Sequence, residues 1–252
     1  FYLNIFIDLE QVDNSVNSLK NKKKFIISID QGTTSSRAII FNLAGKSLYK
    51  SQIEFKQYFP KNGWVEHDPE EIWNKTRKVL ANVITKSKKL KGDILTIGIT
   101  NQRETTILWD KVTGKTVYNA IVWQDRRTAD FCKKYHSNKR EHLINRKTGL
   151  LIDPYFSGTK IKWILNNISK AKKLLKQKRL LFGTIDTFLL WRLTKGKTHA
   201  TDATNASRTM LYNISTNQWD NQILKSLKIP SHILPEIKNS SDYFGKTHAS
   251  IT

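Results

Sequence analysis

Only one cysteine, Cys132, and one methionine, Met210, occur in the 252 residues of this chain. A lone thiol closes no internal disulfide and builds no cysteine-based zinc site, so the expectation is a cytoplasmic protein held by its core. Long hydrophobic runs are missing too. The opening Phe1–Ile7 stretch is broken by Asn4 and ends at Asp8, short of the roughly 18 apolar residues of a membrane span. That excludes a transmembrane helix. Lys20, Lys22, Lys23 and Lys24 come after the apolar opening instead of preceding it, the wrong order for a secretory signal. The sequons Asn74-Lys75-Thr76 and Asn205-Ala206-Ser207 are therefore read as chance matches. With its only methionine at position 210, the chain does not start at a translation start and is expected to be a fragment. Residues 1–24 lack the patterning of the rest of the chain and are treated as an extension of unknown origin, with a domain over 25–252.

Acidic residues are also scarce, 21 against 43 basic ones, which leaves a formal charge of +22. Of the basic residues 33 are Lys and 10 are Arg, and they are spread along the chain. Readers of nucleic acid concentrate Arg and Lys on one face or module, and no zinc finger, ribonucleoprotein motif or basic zipper is present. The expectation is a solvated basic surface with no dedicated nucleic-acid binding. An anionic substrate such as a nucleotide would still be drawn to a positive cleft. A hydrophobic content of 38% supports an ordinary globular core.

Phe25-Ile26-Ile27-Ser28-Ile29 reads as a buried strand, ending at the hydroxyl-rich turn Asp30-Gln31-Gly32-Thr33-Thr34-Ser35-Ser36-Arg37. Ala38–Asn42 and Ser47–Phe55 continue it, implying three antiparallel strands joined by tight turns. Asp68-Pro69-Glu70-Glu71 is a helix start, with Asp68 as cap, Pro69 at the first position and Glu71 three past the cap. Ile72, Trp73, Thr76, Val79, Leu80, Val83 and Ile84 then give one apolar helical face. Strands are expected at 94–100, 105–110 and 117–123, a helix over 125–135, and another over 157–171. A short strand at 180–184 precedes a helix at 186–193, and the Thr/Ser/Asn-rich 201–209 segment is expected to be a loop. Strands alternating with helices indicate an α/β fold.

Asp30 to Ser35 offers a carboxylate, a glycine that lets backbone approach a ligand, and three hydroxyls. Such a turn can aim N–H groups and hydroxyls at phosphate, and an Asp at a strand end can hold hydrated Mg²⁺ through one oxygen. The same residues also make ordinary polar turns, and the glycine spacing of a Walker A loop or a protein-kinase loop is absent. Six histidines fall in no metal-ligand spacing. Arg103 beside Glu104 reads by residue type as a surface ion pair, and Trp123 and Tyr155 as core aromatics.

Phe25–Arg37 and Gly63-Trp64-Val65-Glu66-His67-Asp68-Pro69, then in order Gly98–Thr106, Asn119–Gln124, Asp153–Lys160 and Thr204–Met210, resemble the amino-terminal domain of the FGGY carbohydrate kinases. Within that family the chain is most similar to members acting on glycerol. The resemblance implies an actin/hexokinase-like (ribonuclease H-like) ATPase domain, a mixed sheet flanked by helices, and phosphorylation of glycerol by ATP. It also implies roles. Asp30 would help place Mg²⁺, while Thr33, Thr34, Ser35 and Arg37 would face the nucleotide phosphates of ATP or ADP. Arg103, Glu104 and Tyr155 would hydrogen-bond glycerol, with Trp123 packing on its carbons. The general base, an aspartate of a Gly-Asp-Gln-Gln stretch in this family, is expected beyond Thr252, and the piece alone is expected to be inactive. The alternatives are another FGGY kinase acting on a pentulose, or a non-catalytic binding fragment. A homo-oligomer of the full-length protein is compatible with either reading.

Overall fold

A computed structural model describes residues 5–8 and 22–251. The chain runs through β1 (Ile5–Asp8), β2 (Lys23–Gln31), β3 (Ser35–Asn42), β4 (Ser47–Glu54), β5 (Gln57–Tyr58), β6 (Glu66–His67), α1 (Pro69–Lys89), β7 (Gly92–Asn101), β8 (Ile107–Asp110) and β9 (Ala120–Ile121). Next come α2 (Ala129–Tyr135), α3 (Asn138–Thr148), α4 (Ser157–Asn167), α5 (Ser169–Lys176), β10 (Leu180–Gly183), α6 (Ile185–Leu193), β11 (Ala200–Asp202) and α7 (Ala203–Ala206). The last elements are β12 (Tyr212–Asn213), β13 (Gln218–Trp219), α8 (Asn221–Leu227), β14 (Glu236–Lys238) and β15 (Tyr243–Lys246). Among the described residues no helix is long and apolar enough to cross a membrane.

The main sheet has the order β15-β1-β7-β2-β3-β4. The predicted hairpins are present: β2 pairs antiparallel with β3, and β3 with β4. Between β3 and β4, Gly45 takes a φ of 75° at the tight turn, where a side chain would be strained. β7 lies parallel to β2 on its other side, reached through α1, so the sheet is mixed. Ile5–Asp8, from the segment read as an extension, pairs antiparallel with β7 and parallel with β15.

α1 covers the sheet with the predicted face, burying Ile72, Trp73, Thr76, Val79, Leu80 and Val83. α6 is apolar nearly all round and is correspondingly buried on almost every side. It packs with the sheet and α1 into one core that includes Ile27, Ile29, Ile97, Phe188 and Leu189. A second core gathers α3, α4, α5 and α8 around Leu108, Ile161, Ile164, Phe182 and Leu224. The pair β8–β10 separates the two, because alternate residues of a strand face opposite ways. Ile107 and Trp109 therefore enter the first core and Leu108 the second.

Several predicted elements are shorter or broken. The helix expected over 125–135 begins only at Ala129, because the Asp125 carboxylate holds the N–H groups of Val65 and Arg127 and locks a turn. Only Ala120–Ile121 of the 117–123 strand pairs, against β6. The helix over 157–171 is two helices, interrupted at Ile168, whose φ of −104° and ψ of 110° are extended. The 201–209 segment is not a loop: it forms the end of β11, α7 and a 3₁₀ turn at Ser207–Thr209. Asp202 caps α7 by accepting from the Asn205 N–H at 2.8 Å, so residues read as loop formers act as caps. The Asp68 cap of α1 is present, but Glu71 meets the Lys56 N–H and Lys75 instead of closing a capping box.

Candidate active site

The parallel strands β2 and β7 end side by side, and the crevice beyond the carboxyl ends of such strands is where α/β sheets place ligands. The Gln102 N–H donates to the Gln31 carbonyl at 2.7 Å and fixes the two ends together. From β2 comes the hydroxyl turn. Gln31, fully buried, staples it: its Oε1 accepts from Ser36 at 2.6 Å and Thr76 at 3.0 Å, and its Nε2 donates to the carbonyls of Gly32 and Ser35. The Gly32 N–H is used within the turn, donating to the Ser35 carbonyl at 3.0 Å. A Cβ at Gly32 would meet the Ser35 carbonyl oxygen at 3.5 Å, an ordinary van der Waals contact. The N–H groups of Thr33 and Thr34 donate to no acceptor among the described residues, and Thr34 is exposed. They are free to take an anion. Ser35 Oγ accepts from Gln52.

Asp30 and Arg37, read separately as a magnesium residue and a phosphate residue, face each other across the β2–β3 pair and form an ion pair. Both contacts fall on Asp30 Oδ2, which leaves Oδ1 uncommitted. One carboxylate oxygen without a partner beside the hydroxyl turn is the hard donor a hydrated cation takes. Among the described residues no group of three or more His, Cys, Asp or Glu side chains could hold a metal ion by itself.

From β7 comes the loop Gln102–Thr106. Glu104 is 4% exposed and has a φ of 64°, a left-handed conformation that costs a bulky residue energy and marks special sites. Its carbonyl accepts from Ser157 Oγ at 3.0 Å, Thr106 Oγ1 at 3.2 Å and Lys160 Nζ at 3.4 Å. Beneath the loop, Gln102 contacts His67 Nδ1 at 3.3 Å, and burial pushes that imidazole down to about 4, which keeps it neutral. The Glu104 carboxylate does not pair with Arg103, which is exposed and whose guanidinium meets no partner among the described residues. Glu104 Oε1 instead accepts from Arg208 Nε at 2.6 Å.

Trp123 and Tyr155 are half-buried and stand edge to face, 5.6 Å between centroids, with the Arg208 guanidinium 5.5 Å from the Tyr155 ring. The Trp123 Nε1–H donates to Thr33 Oγ1 at 3.1 Å. Thus Thr33, Trp123, Tyr155, Arg208 and Glu104 form one continuous patch joining the hydroxyl turn to the buried carboxylate. Two residues at this site escaped prediction. Arg208 belongs to the segment expected to be a loop, and Lys160 is a fully buried lysine at the start of α4, donating to the Tyr155 carbonyl at 2.6 Å. Burial pushes the Lys160 ammonium down to about 7, against the attraction of Asp125, Glu104 and Asp153. The one sequence signal for either was membership of the segments Asp153–Lys160 and Thr204–Met210.

Behind the patch a buried polar network ties its two ends. Asn101 Nδ2 donates to Asn205 Oδ1 at 3.0 Å and Asp186 Oδ1 at 3.4 Å, and Asn205 Nδ2 donates to Asp202 at 2.9 Å. Burial and the nearby Asp202 charge push the Asp186 carboxyl up to about 6, opposed by donors from Thr184 and Thr201. The free thiol Cys132 is buried and pushed up to about 11 by burial, away from nucleophilic reactivity.

Residues 25–252 match the model of the FGGY family of carbohydrate kinases, N-terminal domain. Among curated relatives, a glycerol kinase of Petrotoga mobilis is 56% identical over 229 residues, 91% of this chain and 46% of the relative. Another from Malacoplasma penetrans is 54% identical over 227 residues, 90% of this chain and 45% of the relative. The chain therefore spans about half the length of the curated relatives it matches. Among solved structures, the Plasmodium falciparum glycerol kinase with ADP superimposes with a TM-score of 0.87 at 36% identity, over 92% of this chain and 46% of that one. A gluconate kinase from Lactobacillus acidophilus, at 24% identity and a TM-score of 0.80 over 91% of this chain and 45% of that one, shares the fold. Sequence, fold and relatives converge: the chain belongs to the FGGY family of carbohydrate kinases.

Proposed function

We propose that this chain is the amino-terminal part of an ATP-dependent glycerol kinase, which forms sn-glycerol 3-phosphate in glycerol catabolism. The observation that carries the reading is the patch in which Trp123 joins the Thr33 turn to Tyr155, Arg208 and Glu104. Identities of 54–56% to curated glycerol kinases support glycerol over other polyols. In this reading residues 25–252 are an incomplete amino-terminal domain, and ATP as donor together with the lone buried thiol fits a cytoplasmic enzyme.

Phosphoryl transfer demands positioning and charge neutralisation more than covalent chemistry from the protein. The N–H groups of Thr33 and Thr34, with the hydroxyls of Thr33, Thr34 and Ser35, hold phosphate oxygens of the nucleotide, and Arg37 lends them positive charge. Asp30 would hold Mg²⁺ through the oxygen that Arg37 leaves open, and the ion would supply charge neutralisation on the phosphates. Glu104 accepts a glycerol hydroxyl, Arg103 and Tyr155 hydrogen-bond the others, and the Trp123 indole packs on the carbons. A carboxylate must still accept the proton of the attacked hydroxyl. Glu104 is committed to Arg208 at one oxygen and serves binding in this scheme; the family resemblance assigns the base to an aspartate outside these residues.

The test is glycerol-dependent ADP formation by a protein carrying the remaining half of its relatives' length, with xylulose and ribulose as competitors. Glycerol is expected to have the highest kcat/KM. Preference for either pentulose would replace the reading with a pentulose kinase, and binding without turnover would leave a non-catalytic module. In the active protein, Glu104→Gln is expected to raise KM for glycerol at least about tenfold, since a charge-assisted hydrogen bond is lost.

A further inference from the structure

We infer that Arg208, and not Arg103, is the positioning residue for the Glu104 carboxylate, holding it by one oxygen so that the other is presented to a substrate hydroxyl. The inference deepens the polyol-kinase reading and rests on it. The backbone of Glu104 is already immobilised by three donors on its carbonyl and by its left-handed φ. What remains free is the side chain. With its side chain only 5% exposed, the Glu104 carboxylate has almost no water to orient it, so its direction is set by the cation it meets.

That cation comes from 104 residues away in the sequence. The bond uses Arg208 Nε and Glu104 Oε1 at 2.6 Å, a single contact in place of the two-pronged arginine–carboxylate fork. A fork would occupy both oxygens and leave none for a ligand. The guanidinium is held against two rings, 5.5 Å from the Tyr155 centroid and 5.0 Å from that of Phe156. One side chain thus aligns the hydroxyl acceptor with the aromatic wall. Its backbone is anchored by the 3₁₀ turn, in which Thr209 Oγ1 donates to the Ala206 carbonyl at 2.6 Å. The Asn101–Asn205–Asp202 network ties that segment to the end of β7, from which Glu104 departs. Both ends of the ion pair therefore belong to one rigid unit.

The experiment compares Arg208→Ala, Glu104→Gln and the double variant in a full-length protein carrying both halves of the family's length. Arg208→Ala is expected to raise KM for glycerol about tenfold, the worth of one charge-assisted hydrogen bond, with KM for ATP unchanged. The double variant is expected to be no worse than Glu104→Gln alone, because positioning matters only when there is a carboxylate to position. Millimolar guanidinium is expected to restore part of the lost glycerol affinity in Arg208→Ala and none in Glu104→Gln. An unchanged glycerol KM, additive penalties in the double variant, or equal rises in both KM values without guanidinium rescue would each overturn the inference. Should Arg208→Ala not fold, Arg208→Lys carries the test: it keeps the charge but not the Nε geometry, so a selective rise in glycerol KM supports positioning and an unchanged KM defeats it. If the unmodified protein prefers a pentulose, the glycerol reading fails by itself, and the same KM comparison on that pentulose still decides the role of Arg208.

Discussion

Among single residues, Glu104 was located by the sequence but mispaired. The chain bends at Arg103 and Glu104, where Glu104 is left-handed, so Arg103 faces solvent while Glu104 turns inward to an arginine delivered by the fold. Lys160 gave no signal of its burial, since a lysine in a polar motif reads as exposed until its helix is packed. Asp186 carries a consequence for pH. Its carboxyl rises from an ordinary 3.8 to about 6 in the folded protein, so between those values the native state holds the proton more tightly than the unfolded chain. Stability from this group is complete below 3.8 and is lost as pH rises through about 6. Asp186→Asn, which cannot ionise, is therefore expected to raise the thermal midpoint near neutral pH, with the gain vanishing toward about pH 4; thermal melts across that range check it. A constant gain at every pH would show that ionisation of Asp186 is not its cause.

Elements were legible where one local signal decided them. Phe25–Ile29 became the middle of β2, and Asp68 with Pro69 did start α1. Replacing Asp68 by Ala should cost about 1 kcal/mol in urea unfolding, the usual loss of a side-chain cap. Asp220 does more. It caps α8 through the N–H groups of Gln222 and Ile223 at 3.0 Å each, takes Lys147 Nζ at 2.8 Å, and accepts from Asn213 Nδ2 at 3.0 Å. Asp220→Ala takes this acceptor from all of these donors, leaving Lys147 only Gln222 Oε1, and is expected to cost roughly 2–4 kcal/mol by the same measurement. The elements that went unread are those whose signal is not apolar periodicity. The turn at 125–128 depends on Asp125 reaching the distant Val65 N–H, and 201–209 has loop composition because its polar side chains cap and staple its own turns.

Across the whole molecule, a net charge of +22 repels itself, while among the described residues only a few basic groups find buried partners, such as Arg127 between Asp125 and Glu66. Raising NaCl from about 20 mM to about 150 mM shortens the Debye length to about 8 Å and should raise the thermal midpoint by screening that repulsion. A fall on adding salt would mean that attractive pairs dominate. Local order along the chain was enough for the α/β class, the three-stranded hairpin run, the first helix, the family, and the residue types around the hydroxyl turn. Each of these rests on neighbours within a few positions, or on motifs kept in order from end to end. It took the packed fold to pair Asp30 with Arg37, to bring Trp123 to Thr33, and to set Glu104 against Arg208. Those contacts span 7, 90 and 104 residues. The first lies within a hairpin whose register had to be set before two charges could meet. The other two join loops that become neighbours only because β2, β7, α4 and the 3₁₀ turn after α7 converge at one end of the sheet.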